Sequence, residues 1–94
     1  MITRFVKMTF KEDHIDDFRN YFPDIVDKIC AQKGCKHVEL MQDINDSRIF
    51  FTYSKWESEN DLNAYRGSEL FGQVWPKVKK WFDDKPEAWS VEEF

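Results

Sequence analysis

Apolar and polar residues alternate from Ile2 to Phe10, with Val6, Met8 and Phe10 on one side and Thr3, Phe5, Lys7 and Thr9 on the other. A period of two sends successive side chains to opposite faces, so the segment is predicted as a strand. From Asp13 to about Gln32 the period lengthens. Ile15, Phe18, Phe22, Ile25, Val26 and Ile29 recur every three or four residues, the spacing of a helix that buries one stripe. Pro23 lies inside that stretch and is expected to kink or split it, because its ring removes a backbone donor and crowds the preceding turn. Lys33-Gly34 supplies a stop signal.

Alternation returns from Cys35 to Asp43, with Val38 and Leu40 opposed to His37, Glu39 and Met41. Asn45-Asp46-Ser47 is turn chemistry and Arg48 to Trp56 reads as the next strand, so the two are predicted to pair as an antiparallel hairpin. Ser58 then caps a short helix carrying Leu62 and Tyr65, with Asp61 as a weak capping-box partner. Ser68 caps another whose apolar positions are Leu70, Phe71, Val74, Trp75, Val78, Trp81 and Phe82, with a bend expected at Pro76. Glu87 to Phe94, carrying Trp89 and Val91, is the last predicted strand.

This order is a ferredoxin-like βαββαβ arrangement of the α+β class: one domain, residues 1–94, with an antiparallel sheet and helices on one face. The other face poses a problem. The third strand carries Phe50, Thr52 and Trp56 on one side and Ile49, Phe51 and Tyr53 on the other, whereas a sheet covered on one side normally alternates cleanly between apolar and polar. A second copy laid sheet to sheet in a two-fold homodimer is therefore expected to cover the remainder.

Composition narrows the function classes. Ninety-four residues, 41% hydrophobic and 17% aromatic, suffice for a small core. Eighteen acidic against 14 basic residues give a formal net charge of -4 with no long block of one sign, which argues against a nucleic-acid groove built from clustered Lys and Arg. Lys77, Lys79 and Lys80 read as a solvated helix face. No segment approaches the ~20 apolar residues of a membrane span, and Arg4 and Lys7 interrupt any signal-peptide pattern. A cytoplasmic chain with reduced thiols is the expectation. Cys30 reads as a small buried hydrophobe and Cys35 as a strand residue, with a redox pair as the sharper alternative.

GCKHVELMQD, followed by FFTYSKWESENDLNAYRGSELF, resembles the antibiotic biosynthesis monooxygenase family of the dimeric α+β barrel superfamily. Gly34, Cys35, Trp56, Leu62, Tyr65, Ser68 and Phe71 carry the resemblance. It implies a dimer in which each protomer encloses a pocket for a flat aromatic molecule between sheet and helices. In the oxygenase branch no metal or flavin is required, because a deprotonated phenol or quinol passes an electron to dioxygen itself; no cofactor is thus expected. Many members carry histidine where this chain has Tyr65. The haem-degrading branch carries tryptophan there, histidine ten residues later and asparagine on the first strand. The presence of Trp75 and Thr3 at the latter two positions disfavours haem degradation.

The candidate residues follow from these two readings. Trp56, Phe71 and Trp75 read first as sheet-to-helix packing and second as the wall of a substrate pocket. Tyr65 is a candidate for proton handling, although a phenol with a pKa near ~10 donates a hydrogen bond to an oxyanion more readily than it acts as a base. His37, with an ordinary pKa near ~6.5, is the better base if its strand face meets the pocket, and an interface residue if it does not. His14 reads as solvated, and Glu39 and Arg4 as a possible cross-strand pair.

Overall fold

The computed structural model describes all 94 residues. Strand β1 (Ile2–Thr9) is followed by a single 3-10 turn (Glu12–His14) and helix α1 (Ile15–Cys30), then by the hairpin β2 (Cys35–Gln42) and β3 (Ile49–Trp56). Helices α2 (Glu59–Arg66) and α3 (Glu69–Lys79) precede β4 (Glu87–Glu92). All pairings are antiparallel and the sheet order is β2-β3-β1-β4. This is the ferredoxin-like α+β arrangement that the change of period along the chain predicts.

Local chemistry sets the helix boundaries. The Ser58 and Ser68 hydroxyls accept from the Asp61 and Phe71 backbone N–H groups, at 3.2 Å each, so both serines cap as expected. Pro23 and Pro76 sit on exposed faces of α1 and α3, and neither splits its helix. Gly34 adopts a left-handed φ of 82°, and a side chain there would collide with that of Asp61. The tight return from α1 to β2 therefore requires glycine for two reasons at once.

Three expectations fail. The α3 period runs through Trp81 and Phe82, yet the helix ends at Lys79; Phe82 instead bridges Phe10, the Lys11 N–H donates to the Trp81 carbonyl, and both side chains still pack against the core. A helical spacing persisted because the same core receives them after the chain has left the helix. Cys30 is exposed rather than buried, because α1 turns its Ile25 and Ile29 face to the sheet and leaves Cys30 outside. Glu39 and Arg4 cannot pair across adjacent strands, since β3 lies between β2 and β1.

The core lies between the helices and one face of the sheet. Met8, Phe10, Phe50 and Trp56 meet Phe18, Phe22, Ile25 and Ile29 of α1, Leu62 of α2, and Val74 and Val78 of α3. The opposite face carries no helix. It presents Phe5, Phe51 and Tyr53 together with Met41, Trp89 and Val91, the last three among the exposed large hydrophobic residues. No helix is long and apolar enough to cross a membrane.

Candidate functional site

The helix-side face of the sheet is not packed uniformly. Opposed residues across the strands form rows, and two adjacent rows are built mainly from small side chains: Val38, Ser54, Arg4 and Ser90, then Leu40, Thr52, Val6 and Ala88. Above these rows α2 and α3 span the sheet without filling the gap. The result is a cavity of about 320 Å³, well above the ~150 Å³ that accommodates a benzene ring and within the range of small-molecule sites.

Aromatic rings form its helical wall. Trp56 closes β3 and is 1% exposed, its indole N–H donating to Ser54 Oγ at 3.0 Å. Tyr65 stacks on Trp56 with centroids 5.1 Å apart and planes 21° from parallel. Phe71 meets Tyr65 edge-on at 5.4 Å and stacks on Trp75 at 5.7 Å. The capping serines explain this alignment: by fixing where α2 and α3 begin, they fix which positions turn toward the sheet. All four aromatic candidates therefore line one cavity.

His37 is not brought there. A β-bulge between Cys35 and His37 inserts Lys36 into the ladder, so Cys35 opposes Trp56 but His37 opposes Lys55. In an unbulged strand His37 would share the face of Cys35. The extra residue turns it to the open face, where Nε2 lies 3.3 Å from Glu39 Oε1 and the ring meets Tyr53 edge-on at 5.8 Å. Val38 takes the place beneath the cavity. The pocket-base role considered for His37 is thus closed to it within the protomer. His14 does not line the cavity either; it is paired with Asp17 at 2.8 Å and stacks on Trp81.

Twenty residues line the cavity, of which 15 are hydrophobic. Its polar groups are the Thr52 and Ser54 hydroxyls, the guanidinium groups of Arg4 and Arg66, and the phenol of Tyr65, which is itself one of the 15. Burial, followed by the nearby Cys35 and Tyr21, pushes the Tyr65 phenol up to about 12, so it is a proton donor rather than a base at neutral pH. Burial and then the Cys30 thiol raise Cys35 to about 11, which makes it a poor nucleophile at neutral pH. No histidine reaches the cavity, so no imidazole is placed to ligate haem iron within it.

The two arginines escaped the sequence reading. The signal for Arg4 is its strand parity with Val6 and Met8, but its charge suggests a cross-strand partner in Glu39 instead of a place in the cavity. Arg66 follows Tyr65 directly and falls one helical turn after Leu62, at the edge of the buried stripe.

Comparison with known proteins gives a consistent picture. The family profile described as antibiotic biosynthesis monooxygenase matches residues 1–76. Among solved structures, a conserved protein from Methanosarcina mazei Go1 superposes with a TM-score of 0.92 at 19% identity, covering 100% of this chain and 94% of that one. An antibiotic biosynthesis monooxygenase superposes with a TM-score of 0.92 at 17% identity, covering 100% and 99%. A mutant of SnoaB, a cofactor-independent oxygenase from Streptomyces nogalater, gives a TM-score of 0.86 at 11% identity, covering 98% and 91%. At such identities the likeness speaks for the fold alone. A search of curated proteins finds no match.

Proposed function

The chain belongs to the antibiotic biosynthesis monooxygenase family, and from that premise we propose that it is a cofactor-independent monooxygenase-like protein acting on a small aromatic or quinol substrate held between sheet and helices. The observation that carries this reading is the open cavity walled by Trp56, Tyr65, Phe71 and Trp75. A chain selected only for stability would gain by filling such a space, because voids forfeit both dispersion and burial energy.

The chemistry asked of the protein is modest. In an anthrone-like substrate, a ring methylene becomes a carbonyl; dioxygen supplies that oxygen, its second atom leaves as water, and the substrate provides the electrons. The stacked Trp56 and Tyr65 rings orient the substrate, the apolar wall excludes water, and the Tyr65 phenol donates a hydrogen bond to the oxyanion that develops. Oxygen-electrode assays with a panel of anthrones and hydroquinones test this reading. Uptake that is stoichiometric with product and lost in Tyr65→Phe supports it; no uptake above the protein-free rate across the panel counts against turnover.

One observation favours a second reading, a binding module without catalysis. The cavity holds no group with the pKa of a general base, given Tyr65 near 12 and His37 on the far face. Saturable binding of the same aromatics without oxygen consumption would select it. Both readings include a homodimer. The uncovered face with Phe5, Phe51, Tyr53 and Trp89 is apolar enough to be the contact between two copies. Sedimentation equilibrium should show a dimer at micromolar concentration, and Phe51→Glu should weaken it about a hundredfold, as expected for a charge buried at an interface centre.

A further inference from the structure

The polar inventory of the cavity is one-sided. Its five polar residues offer two guanidinium groups and three hydroxyls, and no carboxylate lines it. Arg4 stands in the middle of the Val38, Ser54, Arg4, Ser90 row, facing the helices, and its only side-chain hydrogen bond is from Nη1 to Ser90 Oγ at 2.8 Å. The basic partners in the five close acid–base contacts of the chain are His14, Lys36, His37 and Arg48, so neither Arg4 nor Arg66 has an acidic partner. The two charges also lie close enough to oppose each other: burial, and then the Arg66 charge, lower the Arg4 guanidinium from its ordinary value.

A half-buried Arg4 with most of its donors unused and a second positive charge beside it is costly in the empty protein. A buried or half-buried cation is normally offset by an anion. Arg66 is exposed and Arg4 half-buried, so the pair stands at the mouth of the cavity, where an entering ligand meets it. The planar guanidinium fork is also the side-chain group best matched to a carboxylate or another oxyanion. Nothing in the core requires this arrangement, since an aliphatic residue at position 4 would continue the apolar face of Val6 and Met8 at no electrostatic cost.

We propose that the ligand of this cavity is an aromatic oxyanion, its ring against Trp56 and Tyr65 and its negatively charged oxygen on the Arg4 and Arg66 pair. This rests on the aromatic-pocket reading and extends it by naming the charge of the ligand. It also bears on the missing base. An oxyanion held by two cations is either a permanent carboxylate that steers the ring into place or an ionised phenol whose proton the arginines have made easier to lose. In the second case the electrostatic field does part of the work that a histidine would otherwise do.

The test is calorimetric titration of the whole protein with 2-naphthoate, 2-naphthamide and 2-naphthol. The first two share ring and shape and differ in charge. The expected result is that naphthoate binds at least about tenfold more tightly than naphthamide, the low end for charge-assisted hydrogen bonds. Arg4→Gln should bring that ratio close to one, Arg66→Gln should reduce it severalfold, and raising salt should weaken naphthoate alone. Binding of 2-naphthol with the absorption of its ionised form at neutral pH identifies the phenolate source; naphthoate preference without that spectrum identifies the carboxylate source.

Naphthamide binding as tightly as naphthoate to the unaltered protein overturns the oxyanion proposal and leaves the aromatic pocket standing. Failure of all three probes to bind overturns the pocket reading and the proposal with it. If Arg4→Gln does not fold by circular dichroism, the exposed Arg66→Gln variant and the salt series decide the matter.

Discussion

The two ends of the helix-side sheet face use the same kind of side chain to opposite effect. At one end Phe10, fully buried, stacks on Phe18 with centroids 4.4 Å apart and meets Phe50 and Phe82 edge-on at 5.7 and 5.3 Å. At the other end Trp56, Tyr65, Phe71 and Trp75 make similar ring contacts around an open space. The difference lies beneath the rings. The sheet offers the bulky Met8 opposite Phe50 where the filled end meets the cavity, but Arg4 opposite Ser54 and Val6 opposite Thr52 beneath the open one. Aromatic content therefore does not report whether a region is core or pocket; the size of the strand residues opposite the rings decides it.

The sharpest way to break this comparison is to truncate one ring at each end. Phe10→Ala removes a ring from close-packed surroundings and should cost about 3–5 kcal/mol, the usual penalty for a buried phenylalanine. Because small domains hold only ~5–15 kcal/mol in total, the urea midpoint should fall steeply. Phe71→Ala, by contrast, enlarges a space that already exists and should cost less than about 2 kcal/mol while weakening aromatic binding. Equal losses in urea titrations would mean that the two ends are packed alike.

A smaller effect separates the ends by pH. The Tyr65 pKa is raised by burial to about 12, against ~10 for an unfolded tyrosine. Between these values the unfolded chain loses its proton while the folded chain keeps it, so the unfolded state is favoured as pH rises. The contribution is intact below pH ~10 and is lost progressively toward pH ~12, amounting to about 3 kcal/mol. Tyr65→Phe should flatten this part of the alkaline stability curve. An unchanged slope in the variant would place the Tyr65 hydroxyl in water and not in the cavity wall.

Most of the fold was legible because it depends on period, caps and turns, all of which are local. The change from two to three-and-four spacing at Asp13, the Ser58 and Ser68 caps and the turn at Asn45-Asp46-Ser47 each correspond to an element or a boundary observed. The aromatic residues of the site were legible for the same reason, since Tyr65, Phe71 and Trp75 fall on predictable helix faces. What failed depends on non-local facts. The bulge at Lys36 carries no turn residue, and it puts His37 on the face opposite Cys35. Arg4 reads as a partner for Glu39 until the strand order separates them and the rows of opposed residues place it beneath the cavity. Trp81 and Phe82 kept a helical rhythm after the helix had ended.

The gentlest test adds atoms where the sheet is thin. Thr52 lies beneath the cavity, between Val6 of β1 and Leu40 of β2, and has no hydrogen bond that anchors its side chain elsewhere in the fold. Thr52→Leu would extend its side chain into the open space and replace a hydroxyl by apolar carbon. At a filled site such overpacking costs about 1–3 kcal/mol. Here the space is free, so stability should stay within about 1 kcal/mol of the unaltered protein or rise, in the manner of cavity-filling substitutions. Affinity for 2-naphthol should nevertheless fall by at least about tenfold, because the added carbons occupy volume that the ring needs. A variant that lost stability and kept its affinity would show that ligand and core do not compete for the same place. The matched change at the filled end, Phe50→Trp, supplies the contrast: Phe50 packs against Phe10 and Phe18 and does not line the cavity, so the extra volume has no room and the penalty should appear in stability.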